Sequence, residues 1–337
     1  TRKILKIIIL LYFITMIITE FVMNLQEELE KRDLTESSVL QYIKILINIH
    51  KKIYNHEQIK SLNFLKDLDK VEEAIEDNYK ENTQKNIYNS LSSILFPLKE
   101  KKGFKKVYEF YNGKGKELNV KVSEKNSSGE KNETQEKNWI EWSEVIKNRN
   151  DLHDEVDKIK LKKNITEKDY ETLLKNLVIS LYTYLPPRRN EYQTLLLVPT
   201  DKNLDDNKNY YVIDDHKIIL NNYKTSKKYG KQEIEVPDDL KDPVRNYLQF
   251  HTLYSSNKKK KKQFEIPFLV NRNGEPLVQV NSLTRILNKV FKKNIGASML
   301  RHIYLSDKYG DEIEEMKDDA ESMGHSLNQQ KDYVKKD

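Results

Sequence analysis

With 337 residues the chain has room for two domains, each with a core of its own. A third of the residues are charged, 37% are hydrophobic, and Gly and Pro number only 9 and 8; this disfavours many-stranded sandwiches, while apolar periodicity along most of the chain excludes a fully disordered one. The 59 basic residues against 53 acidic leave a formal net charge of +6, which permits nucleic-acid binding without demanding it, and the absence of cysteine excludes disulfides, thiol catalysis and thiolate metal sites.

Residues 1–23 stand apart as an apolar leader. Ile7 to Thr19 is a run of 13 uncharged, mostly apolar residues behind Arg2, Lys3 and Lys6. It is shorter than the ~20 residues a spanning helix needs, and no small-residue cleavage site follows it. The favoured reading is translated sequence ahead of a start at Met23; a membrane anchor is the alternative. Residues 24–110 read as short helices. Thr35 is an expected N-cap behind Leu34. Val39, Tyr42, Ile43, Leu46 and Ile53 follow it at helical spacing, and so do Phe64, Leu65, Leu68, Val71 and Ile75. Thr83 is expected to cap a third helix carrying Ile87, Leu91, Ile94 and Leu95, ended by Pro97. These stripes are core positions and carry no chemistry. Residues 111–136, with Gly113, Gly115 and the stretch SEKNSSGEKNETQEKN, are polar enough to suggest a linker or flexible insertion.

Residues 137–337 form the second unit. Trp139 and Trp142 open it, with a helix expected over 140–148. Thr166 and Asp169 have capping-box spacing ahead of a helix reaching Leu185, which Pro186 and Pro187 stop. Tyr210–Ile213, Ile218–Leu220 and Ile234–Val236 read as three short strands between polar turns. A helix is expected after Pro243, an exposed lysine loop over Lys258–Lys262, and a tight turn at Asn273–Gly274. Helices then recur over Ser282–Phe291, from Met299 onward, and again near the C-terminus. The expected fold class is mainly α (α+β): a helical N-terminal domain, then a mostly helical domain carrying a small three-stranded antiparallel sheet.

Four segments combine chemistry-bearing residues. YLPPRRNEY (184–192) holds Arg188 and Glu191 in R-x-x-E spacing; taken alone, it is a basic surface patch. NNYKTSKKYG (221–230) puts Lys224 between two strands, where a lysine is ordinarily only solvated. SMLRHIYLSDKYG (298–310) contains Leu-Arg-His with Arg301 and His302. MGHSLNQQKDY (323–333) places Tyr333 eight residues after His325, and that spacing singles it out among 20 tyrosines.

In this order the four segments resemble the active-site boxes of the tyrosine recombinase and integrase family, over roughly Trp139 to the end. The helical N-terminal unit is similar to that family's core-binding domain. The resemblance implies that Arg188 and Arg301 clamp the scissile phosphate and that Tyr333 attacks it. The attack forms a 3′-phosphotyrosyl link and expels a 5′-hydroxyl. Lys224 would protonate the leaving oxygen, and His325 would hydrogen-bond the phosphate. Ser298 stands where the family has His or Lys, and Arg189 where an apolar residue is usual. Ser298 and His302 are assigned to substrate binding or its support. The residue types suit the chemistry. Guanidinium groups bind phosphate oxygens bidentately and stay charged, and a tyrosine of pKa ~10 needs nearby positive charge to attack. The covalent link keeps the bond energy, so the resemblance implies no ATP, no metal and no small-molecule cofactor. Double-stranded DNA is the expected partner, held by a homotetramer on paired sites, and no membrane role is expected. The implied location is intracellular, with DNA (nucleus, nucleoid or viral factory), and a viral or mobile-element origin fits. The alternatives are a type IB topoisomerase-like or telomere-resolving enzyme, and a catalytically inactive DNA-binding protein of the same fold.

Overall fold

A computed structural model of the chain describes residues 20–32, 34–55, 57–258, 264–327 and 329–330. The described chain is mostly helical with a small mixed sheet, and it divides into two compact units, Thr1–Glu130 and Lys131–Asp337. No helix among the described residues is long and apolar enough to cross a membrane.

The first unit is all helical: α1 (Glu20–Glu30), α2 (Glu36–Tyr54), a short 3-10 turn over Leu62–Lys66, α3 (Leu68–Glu76), α4 (Glu81–Leu95) and α5 (Lys105–Ser127). Thr35 caps α2 as expected, its hydroxyl accepting from the Ser38 amide at 3.3 Å. The expected apolar stripes supply the core, with Val39, Ile43, Leu46, Val71, Ile75 and Leu91 buried together. The cap of α4 is displaced, because Lys80 holds the N-cap position and Thr83 falls inside the first turn. The leader boundary also moves. Val22 is buried on α1, so the unit includes residues expected to precede it, while residues 1–19 lie outside the described residues.

The expected linker is overturned over most of its length, because residues 111–127 belong to α5. Composition hid a helical stripe: Tyr111, Gly115, Leu118 and Val122 are the buried positions. Glu81 pairs with Lys125, and Asn89 with Asn119, so α4 and α5 run antiparallel. Gly115 lets them approach; a Cβ there would stand 2.5 Å from Asn89 Oδ1. The Tyr111 hydroxyl donates to the Leu65 carbonyl at 2.8 Å and ties α5 to the 3-10 turn.

The second unit holds α6 (Glu133–Asn138), α7 (Trp142–Ile159) and α8 (Glu167–Thr183). Helix α8 is the central element, with Leu173, Leu177, Val178, Leu181 and Tyr182 buried among its neighbours. Its start is the expected capping box: Thr166 Oγ1 accepts from the Asp169 amide at 3.1 Å, and Asp169 accepts from the Thr166 amide at 2.9 Å. A single 3-10 turn, Glu191–Thr194, leads into the sheet; Arg188 and Arg189 precede it rather than opening a full helix.

The sheet has five strands, not three: β1 (Leu195–Val198), β2 (Asn209–Val212), β3 (Lys217–Leu220), β4 (Gln232–Glu235) and β5 (Ile266–Pro267), ordered β4-β3-β2-β1-β5. The three expected strands match β2, β3 and β4, which pair antiparallel. The first of the two unexpected strands, β1, runs parallel to β2 and makes the sheet mixed. Its LLLV run lacks polar alternation because both faces are covered: Leu195 and Leu197 join the main core, and Val198 packs with Tyr210, Val212 and Ile219. The strand β5 has only two residues.

A four-residue helix, α9 (Ser226–Tyr229), sits between β3 and β4, followed by α10 (Asp238–Gln249) and α11 (Thr252–Lys258). Helix α10 starts ahead of Pro243 rather than after it. Asp238 and Asp239 favour its first turn, and Pro243 forgoes one amide bond near the helix start. Most of the expected lysine loop, residues 259–262, lies outside the described residues. Gly274 adopts a φ of +81° in the expected turn. Helix α12 (Ser282–Phe291) has the expected bounds. Of the two further helices expected, the one from Met299 onward is α13 (Ala297–Ser322), which runs through Gly310; nearer the C-terminus residues 327 and 329–330 are helical, and residues 331–337 lie outside the described residues.

Candidate functional site

The segment before the 3-10 turn is fixed from several sides. Pro186 and Pro187 hold its start extended. The Tyr182 hydroxyl, at the end of α8, donates to the Arg189 carbonyl at 2.6 Å. Asn190 and Gln193 side chains donate to the Val280 and Gln279 carbonyls at 3.2 and 2.7 Å. On α13, Met299, Leu300 and Ile303 are buried, which sets the direction in which Arg301 leaves the helix. The β3–β4 connection is closed by the Tyr223 hydroxyl donating to the Gly230 carbonyl at 2.7 Å.

These three segments meet. Arg188, Arg189, Glu191, Tyr192, Tyr223 and Arg301 all line one cleft of 400 Å³. The Arg188 guanidinium lies 5.5 Å from the centre of the Tyr223 ring. The two expected clamp arginines are thus brought together from segments far apart in the sequence of the second unit. Lys224 is exposed on the hairpin, and both its chain neighbours, Tyr223 and Thr225, line the cleft. Ser298 and His302 are exposed on the first turns of α13 and line an adjoining cleft that shares Arg189 and Arg301.

The cleft is cationic and incompletely compensated. None of Arg188, Arg189 and Arg301 makes an ion pair among the described residues. Arg188 Nε, Arg301 Nε, Glu191 Oε2 and Tyr192 Oη are buried and make no hydrogen bond among them. Such groups are rare in a folded interior and concentrate where a protein acts. Burial, followed by the Arg189 charge, pushes the Arg301 guanidinium below its ordinary pKa, with Glu191 opposing the shift. Arg301 remains a cation at neutral pH, half withdrawn from water, where a bound anion is worth more than it is at the surface. Arg189 was expected only as a departure from a pattern; its charge was the signal that it belongs here.

His325 is not brought to this cleft. Gly324 adopts a φ of +74° just past α13. Its amide reaches the Glu321 carbonyl at 3.1 Å, and the His325 amide reaches the Ala320 carbonyl at 3.0 Å, a Schellman cap. The Gly-His pair is therefore a helix stop, with the imidazole Nε2 at 2.5 Å from Gln330 Oε1. Arg301 stands near the other end of the same helix; at ~1.5 Å of rise per residue the stretch from Arg301 to the helix end at Ser322 is itself roughly 30 Å long. Between them Leu305, Tyr309 and Ile313 are exposed. Tyr333 lies outside the described residues.

Among the described residues no group of His, Asp and Glu side chains is arranged to hold a metal ion. Searched against protein-family models, curated proteins and solved structures, the chain matches none of them.

Proposed function

We propose that the chain is a site-specific DNA recombinase or integrase that cleaves and rejoins DNA through a 3′-phosphotyrosyl intermediate. The observation that carries this reading is the meeting of Arg188 and Arg301 in one cleft beside the Lys224 hairpin. A phosphodiester in that cleft would receive paired donors from two guanidinium groups, which stabilise the charge that builds on its oxygens during attack. Tyr333 is the nucleophile in this reading, Lys224 the acid for the leaving 5′-oxygen, and His325 a further donor to the phosphate. Double-stranded DNA is the substrate and paired sites on a tetramer the working assembly.

The reading requires α13 to break, so that the chain beyond it turns back toward Arg301. Gly310 is the natural point: it lies inside the helix with nothing within 4 Å of where a Cβ would stand, and glycine costs a helix interior about 0.5–1 kcal/mol relative to alanine. A second reading, a DNA-binding protein of the same fold without strand transfer, is favoured by the distance between His325 and Arg301 along the unbroken helix. Nicked duplexes drawn from the DNA beside the gene separate the two. A covalent protein–DNA adduct supports the recombinase, whereas salt-sensitive binding with no adduct supports the second reading.

A further inference from the structure

Building on the phosphodiester reading of the arginine cleft, we propose that Arg189 is a substrate-positioning residue. It holds the next phosphate of the same nucleic-acid strand in the adjoining cleft. That cleft has a volume of 640 Å³, and Asn190, Thr284, Ser298 and His302 line it together with Arg189 and Arg301. Arg189 and Arg301 therefore face both clefts, while Arg188 lines only the first and is left to the reacting phosphate.

Three observations select an anion there. The chain has 53 acidic residues, yet no carboxylate lines this cleft. Another groove of the same unit, by contrast, mixes Asp215, Glu233 and Glu235 with Lys217 and Lys241. Other cations of the unit, Lys162, Lys208, Lys217 and Lys289, each pair with a carboxylate, but Arg189 does not among the described residues. Finally, the Arg189 charge bears on Arg301 across the cleft that both line, and these like charges would be relieved by an anion held between them. The Tyr182 bond to the Arg189 carbonyl fixes the point from which this side chain leaves the backbone. Consecutive phosphates on one strand follow one another by a single nucleotide. A strand whose reacting phosphate sits on Arg188 and Arg301 thus offers the next one to Arg189, and a guanidinium takes it bidentately.

The test uses the full chain and two probes that need no target sequence: the thymidine dinucleotide with one phosphodiester, and the trinucleotide with two. Titrations followed by NMR give both affinities for the wild type, Arg189→Ala and Arg189→Gln, with melting curves to establish that each variant is folded. The second phosphate should tighten wild-type binding by about 10-fold, beyond the twofold statistical factor. Both variants should lose that gain, so that their trinucleotide and dinucleotide affinities differ by no more than the statistical factor, whatever the change in the dinucleotide affinity itself. A gain that survives in the variants, or that is missing from the wild type, overturns the role of Arg189. Failure of the wild type to bind even the dinucleotide overturns the phosphodiester reading as well, and so the two failures are distinct.

Discussion

Replacing Arg301 with methionine should separate stability from activity. Arg301 is half-buried, makes no ion pair among the described residues, leaves a buried Nε without a partner, and has its pKa depressed by burial and by Arg189. The folded chain thus holds this charge at a cost. Arg301→Met keeps most of the aliphatic stem and removes both the charge and the unsatisfied donor. The melting temperature should hold or rise. In the proposed reaction the same change removes a donor aimed at developing negative charge, a loss of about 2.7–4 kcal/mol, or roughly 10²–10³ in rate. Single-turnover adduct formation on a nicked duplex and a thermal melt on the same preparation measure the two effects. An adduct rate within about threefold of the wild type would show that Arg301 does not touch the reacting phosphate. A destabilisation beyond about 2 kcal/mol would mark it as a structural residue instead.

Gly310→Ala should stabilise α13 by about 0.5–1 kcal/mol and lower adduct formation, because it opposes the break that the reaction requires; unchanged adduct formation alongside a higher melting temperature would contradict that requirement. Gly115→Leu should destabilise the first unit by about 1–3 kcal/mol in urea unfolding, since the side chain must enter the close approach of α4 and α5 at Asn89. The Asp169 carboxyl is held at about 2 by Lys162 and the Thr166 amide. Its folded pKa lies below the unfolded value, so its contribution is fully present above pH ~3.9 and is lost as pH falls through about 2. Asp169→Asn should remove that part of the acid dependence, and identical acid unfolding curves for the two proteins would refute the assignment.

Local signals proved legible where a single physical cause acted alone. Thr35 and the Thr166–Asp169 box stand at their helix starts because a side-chain oxygen at that spacing has an amide to satisfy. The hairpin around Lys224 and the helix Ser282–Phe291 were readable from alternation and helical period. The polar stretch beyond Tyr111 was not, since four buried positions suffice to dock a helix whose other faces are charged. Nor was β1, whose unbroken apolar run fits a strand covered on both sides as well as a buried helix turn. Within the site, Arg188 and Arg301 were legible as residue types at a spacing, but their meeting depends on how α8, the sheet and α13 pack. The capping role of Gly324 was hidden in the Gly-His pair, which reads as chemistry although its local geometry is that of a helix stop.

The most direct measurement is to digest the trapped complex and identify the peptide joined to DNA. The proposed mechanism predicts one adduct, a peptide containing Tyr333 linked to a 3′-phosphate, and its disappearance in Tyr333→Phe. No adduct from the wild type on duplexes that it binds, or an adduct that persists in Tyr333→Phe, would contradict it.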